Sequence, residues 1–125
     1  MTTLNQREVQ DVLFRLYTEA QANDSKVKAE EQALLADAGG IIDDRTLQSI
    51  NDRTFMAVAP EVGRLIYLLV RTRRPALVVE FGTSFGLSAI HIASGLRDNR
   101  LGHLITTEQS TAKASRAAVH IEQAG

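Results

Sequence analysis

The stretch Leu77-Val78-Val79-Glu80-Phe81-Gly82-Thr83-Ser84-Phe85-Gly86-Leu87-Ser88 constrains this chain more than any other. Its opening apolar run is short, rich in valine and closed by glycine, which reads as a strand buried on both faces. The glycines at 82 and 86 mark a turn, and Leu87 to Leu96 is compatible with a helix. Strand, glycine-bearing turn and helix make the first half of a nucleotide-type βαβ unit. A ligand of such a unit sits beyond the carboxyl end of the strand, where glycines let it approach the backbone.

Before this unit the chain reads as helical. Thr3 and Gln6 fit a capping box, and Val9, Val12, Leu13, Leu16, Tyr17 and Ala20 follow at helical spacing, predicting a helix over about 4–21. Asn23, Asp24 and Ser25 are expected to break it and cap a second helix, with Val27, Leu34, Leu35 and Ala38 inward and Gly39-Gly40 as its stop. Asp43 or Asp44 can cap a third helix through about Asn51; as metal ligands the two have nothing nearby to complete a site. Met56 to Pro60 is an extended linker, and Pro60 opens a fourth helix whose Val62, Leu65, Ile66, Leu69 and Val70 form a wide apolar face. Arg71, Arg73 and Arg74 at its end complement the helix dipole, a simpler reading than a phosphate site.

After the central strand and its helix, Asp98 to Gly102 connects to a second strand, His103 to Thr107, with Glu108 at its carboxyl end. Ser110 or Thr111 then caps a last helix with Ala114, Ala117, Ala118 and Ile121 inward. The expected order is αααα-β-α-β-α, an α/β chain.

At 125 residues, 44% hydrophobic and 23% charged, this is one domain's worth of chain and should fold. The absence of cysteine excludes disulfides and Cys-ligated zinc or iron. Residues 1–60 carry 6 Lys/Arg against 10 Asp/Glu and residues 61–125 carry 8 against 5, an asymmetry too mild to argue for nucleic acid. No apolar leader is visible at the N-terminus, and the longest aliphatic run is too short for a bilayer. A soluble, cytoplasmic protein with no membrane partner is the expectation.

The turn at 82–86 reads G-x-x-x-G, and Ser84 stands where the dinucleotide fingerprint needs its second glycine, which disfavours a nicotinamide cofactor. No Walker pattern occurs. An acidic residue, Glu108, closes the next strand 28 positions beyond Glu80. A carboxylate there can accept both hydroxyl protons of a ribose. The plainer alternatives are a helix N-terminal charge for Glu108 and a salt-bridged core acid for Glu80.

At these residues the chain resembles the class I S-adenosylmethionine-dependent O-methyltransferases of the catechol and caffeoyl-coenzyme A type. The likeness runs through Met56-Ala-Val-Ala-Pro-Glu-Val-Gly63, Val78-Val-Glu-Phe-Gly-Thr-Ser-Phe-Gly-Leu-Ser88 and Leu104-Ile-Thr-Thr-Glu108, in family order and at family spacing. It implies an N-terminal helical region, 1–55, and the start of a Rossmann-like cofactor-binding core, 56–125, corresponding to the family's N-terminal half. Carried over by motif, Glu80, Gly82 and Ser88 would hold the methionine end of S-adenosylmethionine. Thr83, Ser84 and Gly86 of the same turn join the cofactor-binding set, Val58 would cover the cofactor, and Glu108 would bind its ribose.

The family's metal-binding acids and the residues that deprotonate the acceptor correspond to positions beyond Gly125. A divalent metal is therefore expected only in a longer protein, and no catalytic base is assigned here. His91, His103 and His120 share no spacing that suggests a site and read as surface or packing residues. The implied activity is methyl transfer to a small hydroxylated acceptor, in a homodimer or higher homo-oligomer. The competing reading is a non-catalytic module that binds ligand or mediates oligomerisation through its helices.

Overall fold

Residues 77–81 and 103–107 pair as parallel strands, from Leu77 opposite His103 to Phe81 opposite Thr107. The structure, a computed structural model, describes all 125 residues. After one 3₁₀ turn (Thr3–Asn5) it runs α1 (Arg7–Asp37), α2 (Asp44–Arg53), α3 (Pro60–Arg73), β1 (Leu77–Phe81), α4 (Leu87–Asn99), β2 (His103–Thr107) and α5 (Thr111–Ala124). Parallel strands need a crossover, and α4 supplies it. The order of strands and helices from Pro60 onward is the one the sequence predicts.

The apolar α4 buries nine of its residues, as a helix between a sheet and other helices must. It packs on α3 through glycines: a Cβ on Gly63 would meet the His91 ring at 2.6 Å, and one on Gly95 would meet Val70 Cγ1 at 2.8 Å. One small cluster joins Val70 of α3 to Ile92 and Leu96 of α4, over Val78 and Leu104 of the sheet. The larger cluster draws Leu4 and the α1 residues from Val9 to Ala20 together with Phe55, Tyr67, Phe85, Leu87, Ile90 and Ala124. Leu16 is fully buried there, and burying such a side chain contributes about 1.5–3 kcal/mol.

Several expectations are corrected, the central strand's among them: β1 is not buried on both faces but leaves Leu77, Val79 and Phe81 exposed, because no element packs on that face of the sheet. First, α1 is one 31-residue helix, so the chain has three helices before β1, not four. The polar triplet does not break it because its groups find partners elsewhere. Ser25 Oγ donates to the Gln21 carbonyl, Asn23 Nδ2 donates to the Arg53 carbonyl at 2.6 Å, and Asp24 accepts from the amides of Phe55 and Met56. Second, the Thr3–Gln6 capping box does not form. The Thr3 amide and hydroxyl both donate to Asp98, and Gln6 caps α1 without a side-chain bond. Third, α3 buries its Gly63, Tyr67 and Val70 face and leaves Val62, Leu65 and Leu69 exposed. On α5, Lys113, Ala117, His120 and Ala124 turn inward while Ala118 stays exposed, because both polar members of that face have hydrogen-bond partners.

Other caps fall where expected. The Asp43 carboxylate accepts from the Arg45 and Thr46 amides, and Gly39 and Gly40 end α1 at positive φ. Arg71 donates to the side chain of Asn99, whose own amide donates to the Val70 carbonyl at the end of α3. Within the extended linker, Met56 departs from expectation by taking a left-handed φ of 49°. No helix is long and apolar enough to cross a membrane.

Asp98 clamps the N-terminal turn to α3 and α4. It accepts from Thr3 and, at 2.6 Å, from the Tyr67 hydroxyl. Burial pushes its carboxyl up, but the bonds from Thr3 and Tyr67, with Arg71 nearby, bring it below the ordinary value. Asp98→Ala should cost about 1–3 kcal/mol by urea unfolding near neutral pH. Because the folded-state pKa is depressed, this contribution is complete above the unfolded pKa and is lost as pH falls through the folded one. The gap between parent and variant should therefore close in strong acid.

Candidate functional site

The carboxyl ends of β1 and β2 carry two glutamates on either side of one turn. Parallel pairing continues past the strands, since the Thr107 carbonyl accepts from both Gly82 N, at 2.8 Å, and Thr83 N, at 3.0 Å. Gly82 has φ +86°, and a Cβ built on it meets nothing within 4 Å. Glycine is thus required by conformation, and the space beside it is open. Gly86, at φ +97°, ends the turn as the N-cap of α4.

Glu80 is half-buried and held by hydroxyls. Ser88 Oγ donates to one carboxylate oxygen, and Thr106 Oγ1 donates to the other at 2.7 Å. Thr106 has spent its proton, so the buried Thr83 hydroxyl donates to the Thr106 oxygen. The result is a relay from Thr83 through Thr106 to Glu80, with Ser88 closing the far side. This arrangement rules out an ion-paired core acid, because no cation reaches Glu80.

Glu108 bridges turn and helix. One oxygen accepts from Ser84 N at 2.7 Å and the other from Ser110 N at 2.9 Å. Burial pushes its carboxyl up, yet the bonds from Ser110 and Ser84 and the charge of Lys113 hold it below the usual carboxylate range. The helix-terminal role is therefore real, and each oxygen keeps a second acceptor position for a ligand hydroxyl. Ser84 itself sits at φ +48°, and its hydroxyl donates to the Phe55 carbonyl at 2.6 Å. Phe55 stacks on Phe85 with ring centroids 4.0 Å apart, so the linker's entry is fastened to the turn. Val58, three residues on, is half-buried along a groove against Ala20 and Gln21 of α1.

Comparison with solved structures gives matches that include two O-methyltransferases. An O-methyltransferase from Bacillus cereus, solved in complex with SAH, is 30% identical; the match covers 74% of this chain and 43% of that one, with a TM-score of 0.53. TomG from Streptomyces achromogenes, an O-methyltransferase involved in tomaymycin synthesis and solved in complex with SAM, is 29% identical over 86% of this chain and 47% of its own, with a TM-score of 0.54. The chain is similar to the S-adenosylmethionine-dependent O-methyltransferases. It spans under half the length of these two methyltransferases. No family model matches the sequence, and no curated protein does either. The helical N-terminus followed by a parallel βαβα unit matches part of the Rossmann-like fold of these methyltransferases.

Of the residues singled out in the sequence, Glu80, Gly82, Thr83, Ser84, Gly86, Ser88 and Glu108 come together at one end of the sheet, whereas Val58 lies in the groove against α1. Sequence reasoning missed Thr106, although the parallel register sets it opposite Glu80. It also missed Phe55, Lys113 and His120, which hold the turn from behind. Lys113 Nζ donates to the Asn51 carbonyl, and His120 Nδ1 donates to the Phe85 carbonyl. His120 is thus a packing residue, as expected. No cluster of three or more histidine, aspartate or glutamate side chains is placed to hold a metal ion.

Thr106→Val removes the donor to Glu80 and the acceptor for Thr83 while keeping the side chain's shape. It should destabilise the fold by about 1–3 kcal/mol in urea titrations, and Thr106→Ser should recover most of that. A valine variant as stable as the parent would mean that solvent rather than Thr106 supports the carboxylate.

Proposed function

We propose that this chain carries the cofactor-binding part of an S-adenosylmethionine-dependent methyltransferase acting on a small hydroxylated acceptor. In this reading residues 56–125 bind the cofactor and residues 1–55 form the helical cover. The observation that carries it is the pair of anchored carboxylates, Glu80 and Glu108, on either side of a turn whose Gly82 faces open space. Likeness to two O-methyltransferases solved with SAM and SAH supports it.

The residues suit the group in charge and shape. When bound, S-adenosylmethionine supplies an electrophilic methyl on a sulfonium, with a zwitterionic amino acid at one end and a ribose diol at the other. Glu80, fixed by Ser88 and Thr106, offers negative charge to an ammonium. Glu108 offers an ionised acceptor to paired hydroxyls. With no pyrophosphate to admit, Ser84 needs no exchange for glycine. By the family resemblance Val58 would cover the cofactor from the linker, whose start Ser84 holds through the Phe55 carbonyl.

Calorimetry with S-adenosylmethionine and S-adenosylhomocysteine, on this chain and on a longer one, tests the assignment. Glu108→Ala should weaken binding by roughly 1.5–3 kcal/mol, and Gly82→Val should abolish it. Thermal melts of both variants separate lost binding from lost folding. Full affinity in a folded Glu108→Ala variant, or no binding by either chain, would defeat the reading.

We also infer that the chain self-associates. One sheet face is bare: Leu77, Val79 and Ile105 are exposed and Phe81 is 85% exposed, beside an unpaired edge of β1. Val62, Leu65 and Leu69 of α3 are exposed apolar side chains as well, and unpaired strand edges and exposed apolar faces favour association. Light scattering should report a dimer or larger species. A stable monomer that binds no apolar dye would refute this.

A further inference from the structure

The two carboxylates of the site are not equivalent in charge. Glu108 accepts from the amides of Ser84 and Ser110 and feels the positive charge of Lys113 as well. Glu80 has only the hydroxyls of Ser88 and Thr106, and it forms no ion pair with any Lys, Arg or His of the chain. Neutral donors hold a carboxylate in place without cancelling its charge. A half-buried anion left uncompensated is costly, and a cation arriving from outside relieves that cost.

Thr83 shows how this anion is kept in place. All its polar groups are engaged within the chain: the amide donates to the Thr107 carbonyl at 3.0 Å, the carbonyl accepts from Gly86 N at 2.9 Å, and the hydroxyl meets Thr106. With 5% exposure besides, it has no donor to spare for a ligand. Thr106 gives its one proton to Glu80, so the Thr83 proton points at the Thr106 oxygen. The row of hydroxyls therefore has a single direction and ends on the carboxylate. Because Thr83 belongs to the turn and Thr106 to β2, it ties the aim of Glu80 to the shape of the turn.

We propose that Thr83 and Thr106 are positioning residues: acting through Glu80, they set how strongly the site prefers a ligand with an ammonium to one without. This rests on the S-adenosylmethionine reading, which supplies the ligand. Neither threonine touches it. A nucleoside that keeps the ribose but lacks the ammonium gains nothing from Glu80, so the aim of that carboxylate is felt only by the complete ligand.

Calorimetry, on the same two chains as above, compares S-adenosylhomocysteine with methylthioadenosine, which keeps the ribose and thioether and lacks the amino-acid end. The parent should prefer S-adenosylhomocysteine. Thr106→Val should reduce that preference roughly three- to tenfold, and Thr106→Ser should restore it. In a Glu80→Gln background, with no charge left to aim, Thr106→Val should leave the preference unchanged. Urea unfolding without ligand tests the relay itself. In Thr106→Val the Thr83 hydroxyl has lost its acceptor, so adding Thr83→Val should cost less there than in the parent. Equal weakening of both ligands by Thr106→Val, or additive effects of the two valine substitutions on stability, would overturn the proposal and leave the cofactor reading standing. Binding of neither ligand by either chain would defeat both.

Discussion

The Thr107 carbonyl is the hinge of this structure. By accepting from Gly82 N and Thr83 N together, it prolongs the parallel pairing into the turn and fixes where the chain must leave β1. Glu108, the next residue, then reaches Ser84 N from the same strand end. A non-glycine residue at positive φ costs roughly 1–3 kcal/mol, and a charge-assisted bond contributes about 1.5–3 kcal/mol, so the strained Ser84 is tolerated. The shape of the site is thus set by the register of β2. Without that register neither glutamate would have a turn to face.

The turn is also gripped from behind. Phe85 stacks on Phe55, the Arg116 guanidinium lies 4.7 Å from the Phe85 ring centroid, and His120 bonds the Phe85 carbonyl. Lys113, almost wholly buried, reaches the Asn51 carbonyl near the end of α2. α5 therefore supports the site without entering it. α1, the start of the linker, the turn after β1 and α4 share one apolar cluster, so the helical cover and the turn cannot settle independently.

What could be read in the sequence followed local chemistry. β1 announced itself by four apolar residues closed by glycine, α4 by its nearly continuous apolar surface, and α2 by Asp43. The placement of Glu80 and Glu108 followed from strand ends alone. Readings failed where a polar side chain had a distant partner. Asn23, Asp24 and Ser25 have every local reason to end a helix, yet Ser25 bonds back to Gln21 and the chain at 53–56, unseen in a linear window, engages Asn23 and Asp24. Thr3 left its capping role for Asp98, 95 positions away. Thr106 was invisible for the same reason, since its role exists only once the strands pair. The face of α3 was misjudged because apolar spacing reports a surface that can be buried, not one that is.

The long α1 has a consequence of its own. From Val9 to Ala20 it is woven into the main apolar cluster, so this half cannot unwind unless the core does. Beyond Val27 no residue of the helix is buried, and little but the Arg53–Glu30 contact with α2 holds it. Helical hydrogen bonds exposed in this way open locally at far lower cost than global unfolding. A single uninterrupted helix thus has two lifetimes, with Asn23 and Asp24, which tether the linker, standing at the boundary between them.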